Sequence, residues 1–71
     1  MKLSERIAQN IIKHRKKVGL SQENLAKHAG ISRAYLGRIE NARHSVRTDT
    51  LEKIAVALNV DVADLLRQPT N

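Results

Sequence analysis

The sequence predicts an all-α domain of five short helices, and three observations carry that expectation. Apolar residues recur at three- and four-residue spacing along almost the whole chain, the period of a helix buried on one face. Breaks in that pattern fall at Gly19 and Gly30, each followed two residues later by a serine suited to start the next helix. The apolar fraction is 41%, with one tyrosine and neither phenylalanine nor tryptophan, which supplies a small core of Ile, Leu, Val and Ala. At 71 residues the chain makes one domain, 1–71, close to the lower size at which such a core holds a fold unaided.

In the first helix Leu3, Ile7, Ile11 and Val18 run down one stripe, widened by Ala8 and Ile12. Gly19 stops it, and Leu20 leads into the second element. There Ser21 is a good N-cap, Glu23 favours the first turn, and Leu25, Ala26 and Ala29 form an inward face. Gly30 breaks that helix, and Ser32 caps the third, "RAYLGRIE". A loop from Asn41 to Arg47 is polar and basic apart from Val46. Leu51, Ile54, Ala55 and Leu58 then mark a fourth helix, and Asp61 caps a fifth that holds Val62, Leu65 and Leu66. Residues 67–71, around Pro69, read as a flexible tail, leaving a core of about 5–66.

Thirteen Lys and Arg against seven Asp and Glu give a formal charge of +6, which points to a polyanionic partner. The scarcity of aromatics argues against the stacking platforms that hold single strands and most RNA. Without cysteine there is neither a disulfide nor a thiolate metal site, a composition that suits the cytoplasm. The N-terminus has no long apolar run, so neither a signal peptide nor a membrane partner is expected.

The third helix contains an oddity. Gly37 sits in its middle, where glycine costs about 1 kcal/mol relative to alanine. With Arg33 at zero and a step of about 100° per residue, Gly37 falls near ~40°, Ala34 near ~100° and Arg38 near ~140°. Leu36 and Ile39 fall opposite, near ~300° and ~240°. One face therefore belongs to the core, and the other holds small residues flanked by two arginines. Such a face suits a DNA major groove, where arginine pairs bidentately with guanine and Ala34 can meet a thymine methyl. Gly37 would let the helix sit deep. Upstream, the small Ala26 allows two helices to cross closely, and Gly30 can take the left-handed conformation of a tight interhelical turn. Together these features, between Gln22 and Ile39, describe a helix-turn-helix.

The segments "LSQENLAKHAGISRAYLGRIENAR" and "TLEKIAVALNVDVADLL" resemble the phage repressor and Cro (XRE) helix-turn-helix family over about residues 5 to 66. The resemblance implies a compact five-helix, lambda-repressor-like DNA-binding domain in which Ser21 to Glu40 is the helix-turn-helix and the recognition helix begins at Arg33. It also implies that Arg33, Ala34 and Arg38 read bases, with Gly37 between them. Gln22 would touch a phosphate and buttress the recognition helix, Ser32 would cap that helix near the backbone, and Asn41 and Arg43 would hold phosphates. Arg15 and Glu40 would form a structural ion pair. Where the family commonly has glycine after Glu-Asn, this chain has Ala42, so the left-handed position is expected to move to Asn41. Where it often has proline and serine, this chain has Val46 and Arg47, which makes Thr48 the expected N-cap and frees Arg47 for a phosphate. A valine there is similar to the controller proteins of restriction–modification systems.

Simpler readings stand beside these. Tyr35 falls between faces, equally suited to a phosphate contact through its hydroxyl and to packing against the second helix. The run "KHRKK" at 13–17 is a solvated face with a diffuse electrostatic role. His14, His28 and His44 lack metal-ligand spacing, so no metal and no cofactor are expected. No catalytic constellation stands out, and no second domain offers a pocket for a small-molecule ligand. Two functions remain: a regulator that occupies an operator in double-stranded DNA, or an interaction protein such as an antitoxin that masks a protein partner. Only five residues follow Leu66, which favours the regulator. One recognition helix reads few base pairs, so a homodimer on a palindromic site is expected, joined through Val60, Val62, Leu65 and Leu66.

Overall fold

The computed structural model describes residues 1–69 and consists of five helices: α1 Leu3–Lys17, α2 Gln22–Ala29, α3 Arg33–Glu40, α4 Thr48–Leu58 and α5 Val62–Leu66. Local chemistry sets most boundaries. The Ser21 and Ser32 hydroxyls accept from the N–H groups of Asn24 and Tyr35, each at 3.0 Å, and so start α2 and α3. Asp61 occupies the cap position of α5, and its N–H donates to the Asp64 carboxylate at 3.0 Å.

Four helices end in one way. After α1, α2, α3 and α4 the residues Gly19, Gly30, Ala42 and Asn59 take positive φ. In each case the next N–H reaches back to a carbonyl five residues earlier, as from Ile31 to Ala26 at 3.0 Å and from Arg43 to Arg38 at 3.2 Å. Ala42, at φ 58°, holds the left-handed position expected of Asn41, which stays at φ −88°. The alanine conformation turns the Arg43 N–H onto the carbonyl of Arg38, while the Ala42 N–H bonds that of Ile39. The expected cap of α4 also moves by one residue. Arg47, extended at φ −68° and ψ 148°, takes that position without a side-chain bond, and Thr48 is already helical.

The core is aliphatic. Ile11, Leu25, Leu36, Ile39, Ile54 and Leu65 are its largest fully enclosed side chains, drawn from all five helices. Leu3 and Val18, at the two ends of the apolar stripe of α1, are exposed. Ala26 is buried where α2 crosses α3, and its small size permits the close approach.

α1 and α5 are joined by a polar clasp that no motif in the sequence marks. The buried Asn10 amide donates to the carbonyls of Leu65 at 2.9 Å and Arg67 at 2.8 Å, and Arg6 Nη1 donates to that of Leu66 at 3.3 Å. These bonds serve carbonyls that the end of a five-residue helix leaves without intrahelical donors. Arg67 is thus fixed at its backbone, while Thr70 and Asn71 of the expected tail lie outside the described residues. Among the described residues, no helix is long and apolar enough to cross a membrane.

Candidate nucleic-acid interface

α3 has one face sealed in the core by Leu36 and Ile39 and another open to solvent. Arg33, Ala34 and Arg38 are exposed on that open face, and Ser32 is exposed at its entrance. A Cβ built on Gly37 would meet nothing within 4 Å. The missing side chain therefore answers to no neighbour inside the protein, and the backbone of α3 is bare between the two arginines. Tyr35 is half buried against the core, and its ring carries the Arg38 guanidinium 5.8 Å from its centroid.

The C-terminal end of α3 is braced from behind. Arg15 of α1 grips the Glu40 carboxylate with two bonds, Nε to Oε2 at 2.8 Å and Nη2 to Oε1 at 3.0 Å. Its Nη1 donates to the Leu20 carbonyl at 3.0 Å, which ties the α1–α2 turn to the same point. Gln22, the first residue of α2, donates Nε2 to Glu40 Oε1 at 2.9 Å. The side chains of Arg15 and Glu40 are only 13% and 4% exposed, so little water screens this network. Three helices thus meet on one carboxylate, and the pitch of α3 is set there. The turn between α2 and α3 is equally fixed, with Gly30 at φ 70° and ψ 31°.

After α3 the chain passes through an open, polar hollow lined by Asn41, Ala42, Arg43, His44 and Ser45. Lys2, Ser4 and Glu5 of the α1 start complete its wall. Lys2 had no signal in the sequence, because only the fold brings it beside the Asn41–Ser45 loop. Asn41 is exposed just beyond α3, and so is Arg43. Arg47 is exposed too, with Nε 3.3 Å from Asp49 Oδ1 in a solvated pair.

The four residues expected to join two copies do not share one exposed face. Leu65 is 0% exposed, because α5 turns that side chain into the core of its own domain, so it is unavailable for a dimer contact. Val60, Val62 and Leu66 are partly buried at the core's edge.

Two helices crossing on a small residue, joined by a left-handed turn, with a braced second helix carrying an exposed basic face, define a helix-turn-helix domain. Residues 11–65 match the helix-turn-helix family HTH_3, and the chain belongs to that family. It is 39% identical over 66 residues to the control protein C.SmaI of Serratia marcescens, covering 93% of this chain and 79% of that one. Its fold superposes on the hypothetical transcription factor NHTF from Neisseria with a TM-score of 0.92 at 35% identity, covering 96% of this chain and 78% of that one. It also superposes on the restriction–modification controller protein C.AhdI from Aeromonas hydrophila, with a TM-score of 0.84 at 32% identity and coverages of 87% and 94%. Other relatives are longer, and the chain spans 53% and 59% of two of them.

Proposed function

We propose that this protein is a cytoplasmic transcriptional regulator that binds a specific site in double-stranded DNA as a homodimer. The observation that carries the reading is the outer face of α3: Arg33, Ala34 and Arg38 exposed, and Gly37 bare between them. A helix with that face fits a major groove, where arginine discriminates guanine through O6 and N7 and a small residue meets a thymine methyl. The Arg15–Glu40–Gln22 network supports it by fixing the helix before DNA arrives, which lowers the ordering cost of binding.

Phosphates flanking the groove fall to the surrounding donors. Gln22 commits one amide hydrogen to Glu40 and keeps the second for a phosphate. Ser32, Asn41, Arg43 and Arg47 lie on the approach to α3 and in the loop after it, and Lys2 joins them at the polar hollow. These contacts hold register without reading sequence. The Tyr35 hydroxyl is a further candidate for the same task.

The control and controller proteins among its relatives favour occupation of an operator near a regulated promoter. Two copies would place their α3 helices in major grooves about one helical turn apart, on a roughly palindromic site. The partly exposed Val60, Val62 and Leu66 form the candidate seam. Selection of bound duplexes from a random DNA pool, with sedimentation of the free protein, tests the whole reading. A symmetric consensus and a dimer at tens of micromolar are expected. Binding without sequence preference would refute the regulator, and a monomer on an asymmetric site would refute the dimer.

A further inference from the structure

Arg38 is a candidate base reader whose side chain lies over another residue of α3. Its guanidinium lies over the Tyr35 ring, 5.8 Å from the centroid, within the reach of a cation–π attraction. Helical side chains lean toward the N-terminus over the residues three and four positions earlier. For Arg38 those are Tyr35 and Ala34, and the alanine leaves the path clear. The ring itself is immobilised, because Tyr35 packs against the hydrophobic core while one part of it stays exposed.

We propose that Tyr35 is a positioning residue for base recognition: its core-anchored ring presets Arg38 toward the N-terminal half of α3. This rests on the reading of α3 as the recognition helix. An unsupported arginine at the exposed end of a helix samples many rotamers and must be ordered when it meets a base. Held over a ring that packs on the core, it is already biased toward the part of the helix that enters the groove. The specificity of one base step would then depend on a residue that makes no base contact itself. The ring carries this role, and the hydroxyl is dispensable to it.

The test uses the full chain and the duplex it selects from a random pool. Dissociation constants are measured on that duplex and on versions changed at each base pair. The proteins are the parent, Tyr35→Ala, Tyr35→Phe, Arg38→Ala and the double variant Tyr35→Ala with Arg38→Ala. Discrimination is a ratio taken within one variant, so any loss of folded fraction cancels, and thermal melts report that loss separately. Arg38→Ala is expected to flatten preference at one base pair per half-site. Tyr35→Ala should reduce discrimination at that same base pair by about three- to tenfold. Tyr35→Phe should retain it, and the double variant should discriminate no less than Arg38→Ala alone. Two outcomes overturn the inference while leaving the recognition helix intact. One is a Tyr35→Ala effect that persists in full on the Arg38→Ala background. The other is a Tyr35→Phe loss as large as that of alanine, which would make the hydroxyl the active group. If Arg38→Ala changes no base preference, the assignment of Arg38 as a base reader fails, and the inference fails with it.

Discussion

Replacing Glu40 by glutamine preserves the size of the side chain and removes its charge, which isolates what the buried carboxylate contributes. Three donors converge on it: Arg15 Nε at 2.8 Å, Arg15 Nη2 at 3.0 Å and Gln22 Nε2 at 2.9 Å. An amide keeps one accepting oxygen and turns the other position into a donor facing donors. The Arg15 guanidinium, 13% exposed, then lies largely out of water without a countercharge. Stranding one partner of a buried pair costs about 3–5 kcal/mol. A domain of 71 residues has a total stability of about 4–11 kcal/mol, so this is a large share of it. At about 4–8 °C per kcal/mol for this size, the melting midpoint should fall by at least ~12 °C. Thermal unfolding followed by far-ultraviolet circular dichroism measures the shift, with Glu52→Gln as the control for lost charge at an exposed site on α4. That control should move stability by no more than about 0.5 kcal/mol. If Glu40→Gln melts within about two degrees of the control, the network does not hold α3 in place and the argument for a pre-set recognition helix fails.

Four further outcomes follow from the same geometry. Arg33→Ala should weaken binding to the selected duplex by about 1–3 kcal/mol and barely affect random DNA; equal losses on both would demote Arg33 to a phosphate contact. Arg43→Ala should weaken all duplexes evenly and lower the slope of log affinity against log salt by about 0.9, as titrations at several salt concentrations would reveal. Ala42→Gly should raise the melting midpoint, since alanine at φ 58° carries about 1–2 kcal/mol of strain that glycine avoids. An unchanged or lower midpoint would show that glycine's greater chain freedom outweighs the strain. Leu66→Glu should shift sedimentation toward monomer and weaken operator binding with helicity retained, whereas lost helicity would assign Leu66 to the monomer core.

What was legible in the sequence was mostly local. Ser21, Ser32, Gly30 and the apolar periodicity act within a few residues, so caps, breaks and helix faces can be read directly. The open face of α3 was legible for the same reason, because Arg33, Gly37 and Arg38 are related by helical pitch alone. Ala42 was not, because its left-handed conformation is taken against its own preference, so that the Arg43 N–H reaches the end of α3. The choice between the adjacent Leu65 and Leu66 depended on how a five-residue helix docks, and one step of sequence reverses which side chain is enclosed. Lys2 came to the polar hollow through the packing of α1 against the far end of the loop. Asn10 was hidden most completely. Its partners are backbone carbonyls 55 and 57 residues away, and a carbonyl has no letter in the sequence.

That clasp has a consequence for timing. A side chain buried in the first helix finds its hydrogen-bond acceptors only after residue 67 has been joined to the chain. Until then α5 is not there to cover Asn10, so the amide stays in water; its cover and its hydrogen-bond partners arrive together. During synthesis on the ribosome, α1 and the helix-turn-helix can form helical turns, but the domain cannot lock from its N-terminus onward. Completion of the fold is therefore tied to synthesis of α5 and Arg67, and a nascent chain stalled before α5 would lack both the core side chain of Leu65 and the clasp that closes onto α1.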